Sequence, residues 1–76
     1  MSEVEFIDIF ADNLRDLIIE SGYSISEIAR EIGINKSTLS KYLRKERLPS
    51  IDILVNLSIF LLCDIEDLIP DYEYVF

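Results

Sequence analysis

Between residues 35 and 47 the chain collects groups that hydrogen-bond without reacting: Asn35, Lys36, Ser37, Ser40, Lys41, Arg44, Lys45 and Arg47. Lys36, Ser37, Ser40, Lys41 and Arg44 fall at i, i+1, i+4, i+5 and i+8, which on a helix is one face. Such a face suits an acidic surface rich in acceptors. Lysine can donate to guanine O6 and N7 and serine can bond several bases, and a single helix fits the major groove of double-stranded DNA. Covalent or metal chemistry has no comparable support. There is no histidine, no Cys/His metal spacing and no phosphate loop, and the carboxylates are scattered over helix exteriors. No enzyme, cofactor or metal is expected.

A net charge of −8 would ordinarily argue against a polyanionic partner, so its distribution matters more than its total. Lys36, Lys41, Arg44, Lys45 and Arg47 lie in one stretch against Glu46 alone, a local charge of +4. Elsewhere only Arg15 and Arg30 stand against fourteen carboxylates, a charge of −12. The Debye length is about 8 Å at physiological salt, so the local cations should dominate at contact. The acidic remainder should weaken nonspecific binding and turn the basic face toward the partner.

These side chains need two short helices crossing around a tight turn. Ile28 and Ile32 form the inner face of the first, Leu39, Tyr42 and Leu43 that of the second, and Ala29 sits where the two lean together. Gly33 is the turn. Ser24 opens the first of these helices as an S-x-x-E capping box with Glu27, and the second runs from after Asn35 to about Lys45. Before them a helix from about Glu3 to Ser21 keeps Val4, Ile7, Ala11, Leu14 and Ile18 at 3-4-3-4 spacing, with Phe6, Phe10 and Leu17 as a second stripe, and Gly22 stops it. After Leu48-Pro49, Ser50 caps a helix from Ile51 to Leu62. Its core side reads as Ile51, Leu54, Val55, Ser58 and Leu61, with Ile53, Leu57, Phe60 and Leu62 as a further apolar stripe. A short helix starts at Asp64, includes Leu68 and is closed by Pro70. The tail, residues 71–76, changes to strand spacing with Tyr72, Tyr74 and Phe76 on one side, which favours an ordered segment.

Seventy-six residues make one small domain spanning residues 1–76, and half are hydrophobic, enough for a compact core. Cys63 follows Leu61 and Leu62 and reads as a buried thiol. The opening Met1-Ser2-Glu3-Val4-Glu5 lacks a signal peptide's basic start, and no apolar run approaches the roughly 20 residues that span a bilayer. A cytoplasmic protein with no membrane partner is expected.

From about Ala11 to Ile69 the pattern resembles the lambda repressor and Cro type of helix-turn-helix regulator. The resemblance is carried by Leu14-Arg15, Gly22-Tyr23-Ser24, Ile28-Ala29, Ile32-Gly33-Ile34, Ser37-Thr38-Leu39-Ser40, Pro49-Ser50, Leu54 and Asp67-Leu68-Ile69. It implies an all-α bundle of about five short helices with the helix-turn-helix at residues 24–45, and a sequence-specific DNA-binding transcriptional regulator, a repressor, often dimeric on a palindromic site. Carried over by position, Lys36, Ser37 and Lys41 are expected at base edges with Asn35 and Ser40 flanking them, and Ser24, Thr38, Arg44, Lys45 and Arg47 at phosphates. The chain departs from the family pattern in three ways. Ile25 stands where glutamine is usual, Ile18 and Leu43 replace an arginine and glutamate pair, and Lys45 replaces a frequent glycine, which leaves the path of the turn after the recognition helix open. A joint exchange of an ion pair for an apolar pair is tolerated in a core, so Ile18 and Leu43 are expected to meet there.

One recognition helix reads only a few base pairs, so a homodimer with two helices one turn of DNA apart is expected. Ile53, Phe60 and Leu62, with Tyr72, Tyr74 and Phe76, are the candidate interface. The tail could instead pair as a strand with its copy, or cover Phe6 and Phe10 in its own subunit. The alternative function is a protein-interaction module, an antitoxin or antirepressor, using the same fold on a protein partner.

Overall fold

Gly22 and Gly33 stop the first two helices in the left-handed region, at φ of 75° and 78°. A Cβ at either position would meet nothing within 4 Å, so the backbone angle rather than crowding favours glycine. Around these stops the structure, a computed structural model that describes residues 2–70, runs through five helices: α1 (Glu3–Ser21), α2 (Ile25–Ile32), α3 (Lys36–Leu43), α4 (Ile51–Phe60) and α5 (Ile65–Leu68). The fold is all-α, as expected. Ser2 Oγ accepts from the Glu5 N–H at 3.2 Å to start α1. Ser24 and Glu27 close the anticipated capping box, Oγ accepting from the Glu27 N–H at 3.1 Å and Glu27 Oε1 from the Ser24 N–H at 3.4 Å.

Two helices end earlier than their apolar spacing suggests, and by the same device. After α3, Lys45 adopts φ 66°, its N–H donating to the Tyr42 carbonyl at 3.2 Å while the Glu46 N–H reaches Lys41 at 2.9 Å. After α4, Leu62 adopts φ 55°, donating to Ile59 at 3.3 Å, and the Cys63 N–H reaches Ser58 at 3.0 Å. Both are Schellman turns, which satisfy carbonyls left over at a helix end. A residue bearing Cβ gives up about 1–2 kcal/mol in this conformation. Lysine and leucine thus occupy turns that suit glycine, and at Lys45 the open question of the chain's path is answered.

The helices enclose one core. α3 packs on α1 and α2, α4 on α2 and α5, and α5 returns to α1. Phe10, Leu14, Ile28, Leu39, Leu57 and Leu68 are fully buried at its centre, each such side chain contributing about 1.5–3 kcal/mol. Ile18 and Leu43 both lie buried in this cluster, where an apolar side chain needs no charged partner. Asn13 Nδ2 donates to the Leu68 carbonyl at 3.2 Å, tying α5 to α1. Ser58, a buried polar side chain of the core, donates to the Val55 carbonyl at 2.7 Å.

Some apolar side chains lie on other faces than their spacing predicts. Val4, placed on the inner stripe of α1, is exposed, whereas Phe10 from the second stripe is central. On α4 the expected core residue Ile51 is exposed and Leu57 is buried instead. That helix is apolar almost all round, so spacing could not choose its inner side. The strand spacing of the tail concerns residues outside those described. Among the described residues no helix is long and apolar enough to cross a membrane.

Candidate nucleic-acid interface

α3 divides cleanly into two sides. Leu39, Tyr42 and Leu43 are buried, while Lys36, Ser37, Lys41 and Arg44 are exposed and Thr38 and Ser40 half-buried. The expected outer face is therefore displayed. Asn35 occupies the N-cap, but its side chain makes no capping bond, so the first amide donors of α3 have no side-chain partner. They carry the positive end of the helix dipole. Ser24 differs: its oxygen already accepts from Glu27, and its hydroxyl proton remains to donate outward.

The cations of this region fall into two groups. Lys36, Lys41 and Arg47 are exposed and make no ion pair among the described residues. Arg44 and Lys45 are engaged. Arg44 Nε donates to Glu46 Oε2 at 2.7 Å, and Lys45 Nζ lies 3.5 Å from both Asp8 Oδ1 and Asp12 Oδ1 on α1. Lys45, expected at phosphate, is turned toward its own chain by the left-handed turn that carries it. Beside it Arg15 Nη2 donates to the Leu43 carbonyl at 3.0 Å, satisfying one of the last carbonyls of α3. Three side chains of α1 thus hold the C-terminal end of α3 and set the direction of its outer face. Sequence reasoning missed Asp8, Asp12 and Arg15 in this role; their signal was a spacing of i, i+4, i+7 along one face of α1.

Tyr42 lies in the core as expected, and burial pushes its hydroxyl above the ordinary tyrosine value, with the nearby Arg47 guanidinium opposing the shift and Asp52 adding to it. Arg47 itself is exposed, four residues past the end of α3. Ile25, where the family pattern has glutamine, is half-buried and packs against the core, and makes no polar contribution to the face.

The Helix-turn-helix family model matches residues 14–68, which contain every element just described from the second half of α1 to α5. The chain belongs to the helix-turn-helix family. It is similar over 100% of its length, at 25% identity and a TM-score of 0.85, to the solution structure of the SOS-response transcriptional repressor LexA from Eubacterium rectale, of which it covers 81%. It is also similar in fold to the restriction-modification controller protein C.AhdI from Aeromonas hydrophila, with 24% identity, a TM-score of 0.76, and coverage of 82% of this chain and 94% of that one. No curated protein sequence matches the chain. Family and fold make this helix-turn-helix protein a DNA-binding transcriptional regulator in the broad sense.

The residues proposed for self-association are not displayed together on the helix-turn-helix protein. Ile53 and Phe60 are half-buried against their own core, and the Phe60 ring packs on Tyr23 with centroids 4.9 Å apart and a 50° tilt. Only Leu62 stands out, 92% exposed. Tyr72, Tyr74 and Phe76 lie outside the described residues.

Proposed function

We propose that this chain is a sequence-specific transcriptional repressor that reads the major groove with α3 as a homodimer on a palindromic operator. The observation that carries the reading is the outer face of α3: Lys36 and Lys41 are exposed, with no ion pair among the described residues, in a protein of charge −8, on a helix whose other side is core. Lys36, Ser37 and Lys41 take the base edges, flanked by Asn35 and Ser40. Arg47, Thr38, the Ser24 hydroxyl and the first amides of α3 take phosphates. Arg44 joins them by exchanging Glu46, an exposed pair of small worth, for a phosphate oxygen. Lys45 serves the turn. Repression, rather than activation, is supported by the likeness to a repressor, and the expected setting is the cytoplasm, where the operator is. The exposed aliphatic residues of α4 favour a protein contact too, and a second copy of the chain meets that need without the antitoxin reading.

Selection from random duplexes followed by a salt titration of the enriched site tests this. With Arg44 and Arg47 on phosphates and Lys36 and Lys41 in the groove beside them, two to four cations per subunit, log K should fall against log salt with a slope of about −2 to −4 per subunit. Absence of enrichment, or a flat response to salt, contradicts it.

A further inference from the structure

We propose that residues 71–76 fold back onto their own domain and lay the rings of Tyr72 and Tyr74 in an apolar cleft between the first half of α1 and the start of α4. The cleft measures about 250 Å³, and every side chain lining it is apolar: Phe6 and Phe10 from α1, Leu48 and Pro49 ahead of α4, Ile51 and Leu54 from α4, and Ile69 after α5. A cavity of about 150 Å³ accepts a benzene ring, so this one has room for one aromatic ring and part of a second. Leu48, Leu54 and Ile69 are half-buried, and Ile51 stands 75% exposed at the lip. A covering segment would remove all four from water.

Position and pattern make the occupant the chain's own next residues. Ile69, itself a wall of the cleft, leaves α5 extended at φ −98° and ψ 155°, as the proline after it requires. Pro70 is buried beside it, so residue 71 starts at the edge of the cleft. At about 3.3 Å per residue, Tyr72 reaches about 10 Å from Ile69 and Tyr74 about 17 Å. Asp71-Tyr72-Glu73-Tyr74 alternates carboxylates with rings, so an extended segment turns both rings to one side and both carboxylates to the other. The ring side suits an apolar cleft and the acidic side suits water. Each tyrosine can bury its ring while its hydroxyl stays at the open mouth. Attachment beside the cleft also favours the same copy: a segment three residues away acts at an effective concentration in the millimolar range, whereas that of a second copy must first offset the entropy of association. Leu48 and Pro49 follow Arg47 directly, so the docked rings back the loop that carries this cation.

DNA plays no part in this contact or in its test. Deleting residues 71–76 should lower the thermal midpoint by about 5–10 °C, as expected for one ring partly withdrawn from water at this chain length. Tyr72→Ser combined with Tyr74→Ser should reproduce the loss with the backbone kept. Ile51→Glu sets a carboxylate at the lip on a side chain already in water. It should lower the midpoint of the full chain and leave that of the shortened chain nearly unchanged, so the two changes do not add. In the full chain, nuclear Overhauser contacts should join the Tyr72 and Tyr74 rings to the methyl groups of Leu54 and Ile69, and none should cross between copies when labelled and unlabelled protein are mixed. A midpoint unmoved by deletion or by loss of the rings, additive effects of Ile51→Glu and the deletion, absence of these ring contacts, or contacts found only between copies would each overturn the proposal. Should the shortened chain fail to fold, the ring contacts and the serine variant decide.

Discussion

Replacing Lys45 by alanine and by glycine separates a backbone effect from a charge effect at the end of α3. Both substitutions remove the ammonium from Asp8 and Asp12, groups that are 38%, 50% and 61% exposed for Lys45, Asp8 and Asp12, so the loss is at most about 1 kcal/mol. They differ in the turn. Alanine keeps the left-handed cost of about 1–2 kcal/mol that φ 66° imposes, and glycine relieves it. Glycine in turn gains about 0.4–1 kcal/mol of unfolded-state freedom, leaving Lys45→Gly more stable than Lys45→Ala by about 0.5–1 kcal/mol. At this chain length that is about 2–8 °C in midpoint, readable by circular dichroism on matched samples. At an ordinary helical position the order of the two variants reverses. An alanine variant equal to or more stable than the glycine variant would therefore refute the left-handed turn. The same proteins report on function. The amine faces α1, so the salt slope of DNA binding should be unchanged in Lys45→Ala, and a reduction by about one would return Lys45 to the phosphates.

Further outcomes follow from the same contacts. Arg15→Ala leaves the Leu43 carbonyl without its donor and should cost about 1–3 kcal/mol in urea unfolding; no loss would mean that α1 does not hold α3. Ile18→Arg alone buries an unpaired charge and should cost about 3–5 kcal/mol, whereas adding Leu43→Glu should recover much of it; a double variant no better than the single would separate the two positions. Tyr42 has its pKa raised in the folded chain, so the native state holds that proton more tightly than the unfolded one. Its contribution is complete below about pH 10 and is lost as pH rises beyond. Tyr42→Phe should lack that part of the alkaline decline, and an unchanged decline would contradict the burial.

Helix identity and the turn at Gly33 were legible because amphipathic spacing, caps and glycines all agree from Ser24 to Leu43. The ends of α3 and α4 were not, since nothing in the residue types of Lys45 or Leu62 announces a left-handed turn. The inner side of α4 was hidden for the opposite reason: with Ile51, Ile53, Leu54, Val55, Leu57, Ile59 and Phe60 all apolar, only tertiary packing selects Leu57. For the candidate site, Lys36 and Lys41 could be read from spacing because their helix has a clear polar side. The engagement of Lys45 by Asp8 and Asp12 spans more than thirty residues of chain, so the shared face of the two aspartates on α1 does not by itself name their partner.

The most direct test of α3 as a reading head compares Lys41→Ala with Arg47→Ala on the selected operator and on versions of it altered one base pair at a time. Lys41→Ala should weaken the intact site by about 1–3 kcal/mol and abolish discrimination at one base pair, while Arg47→Ala should weaken every version equally. Equal, sequence-independent losses from both substitutions would contradict the account.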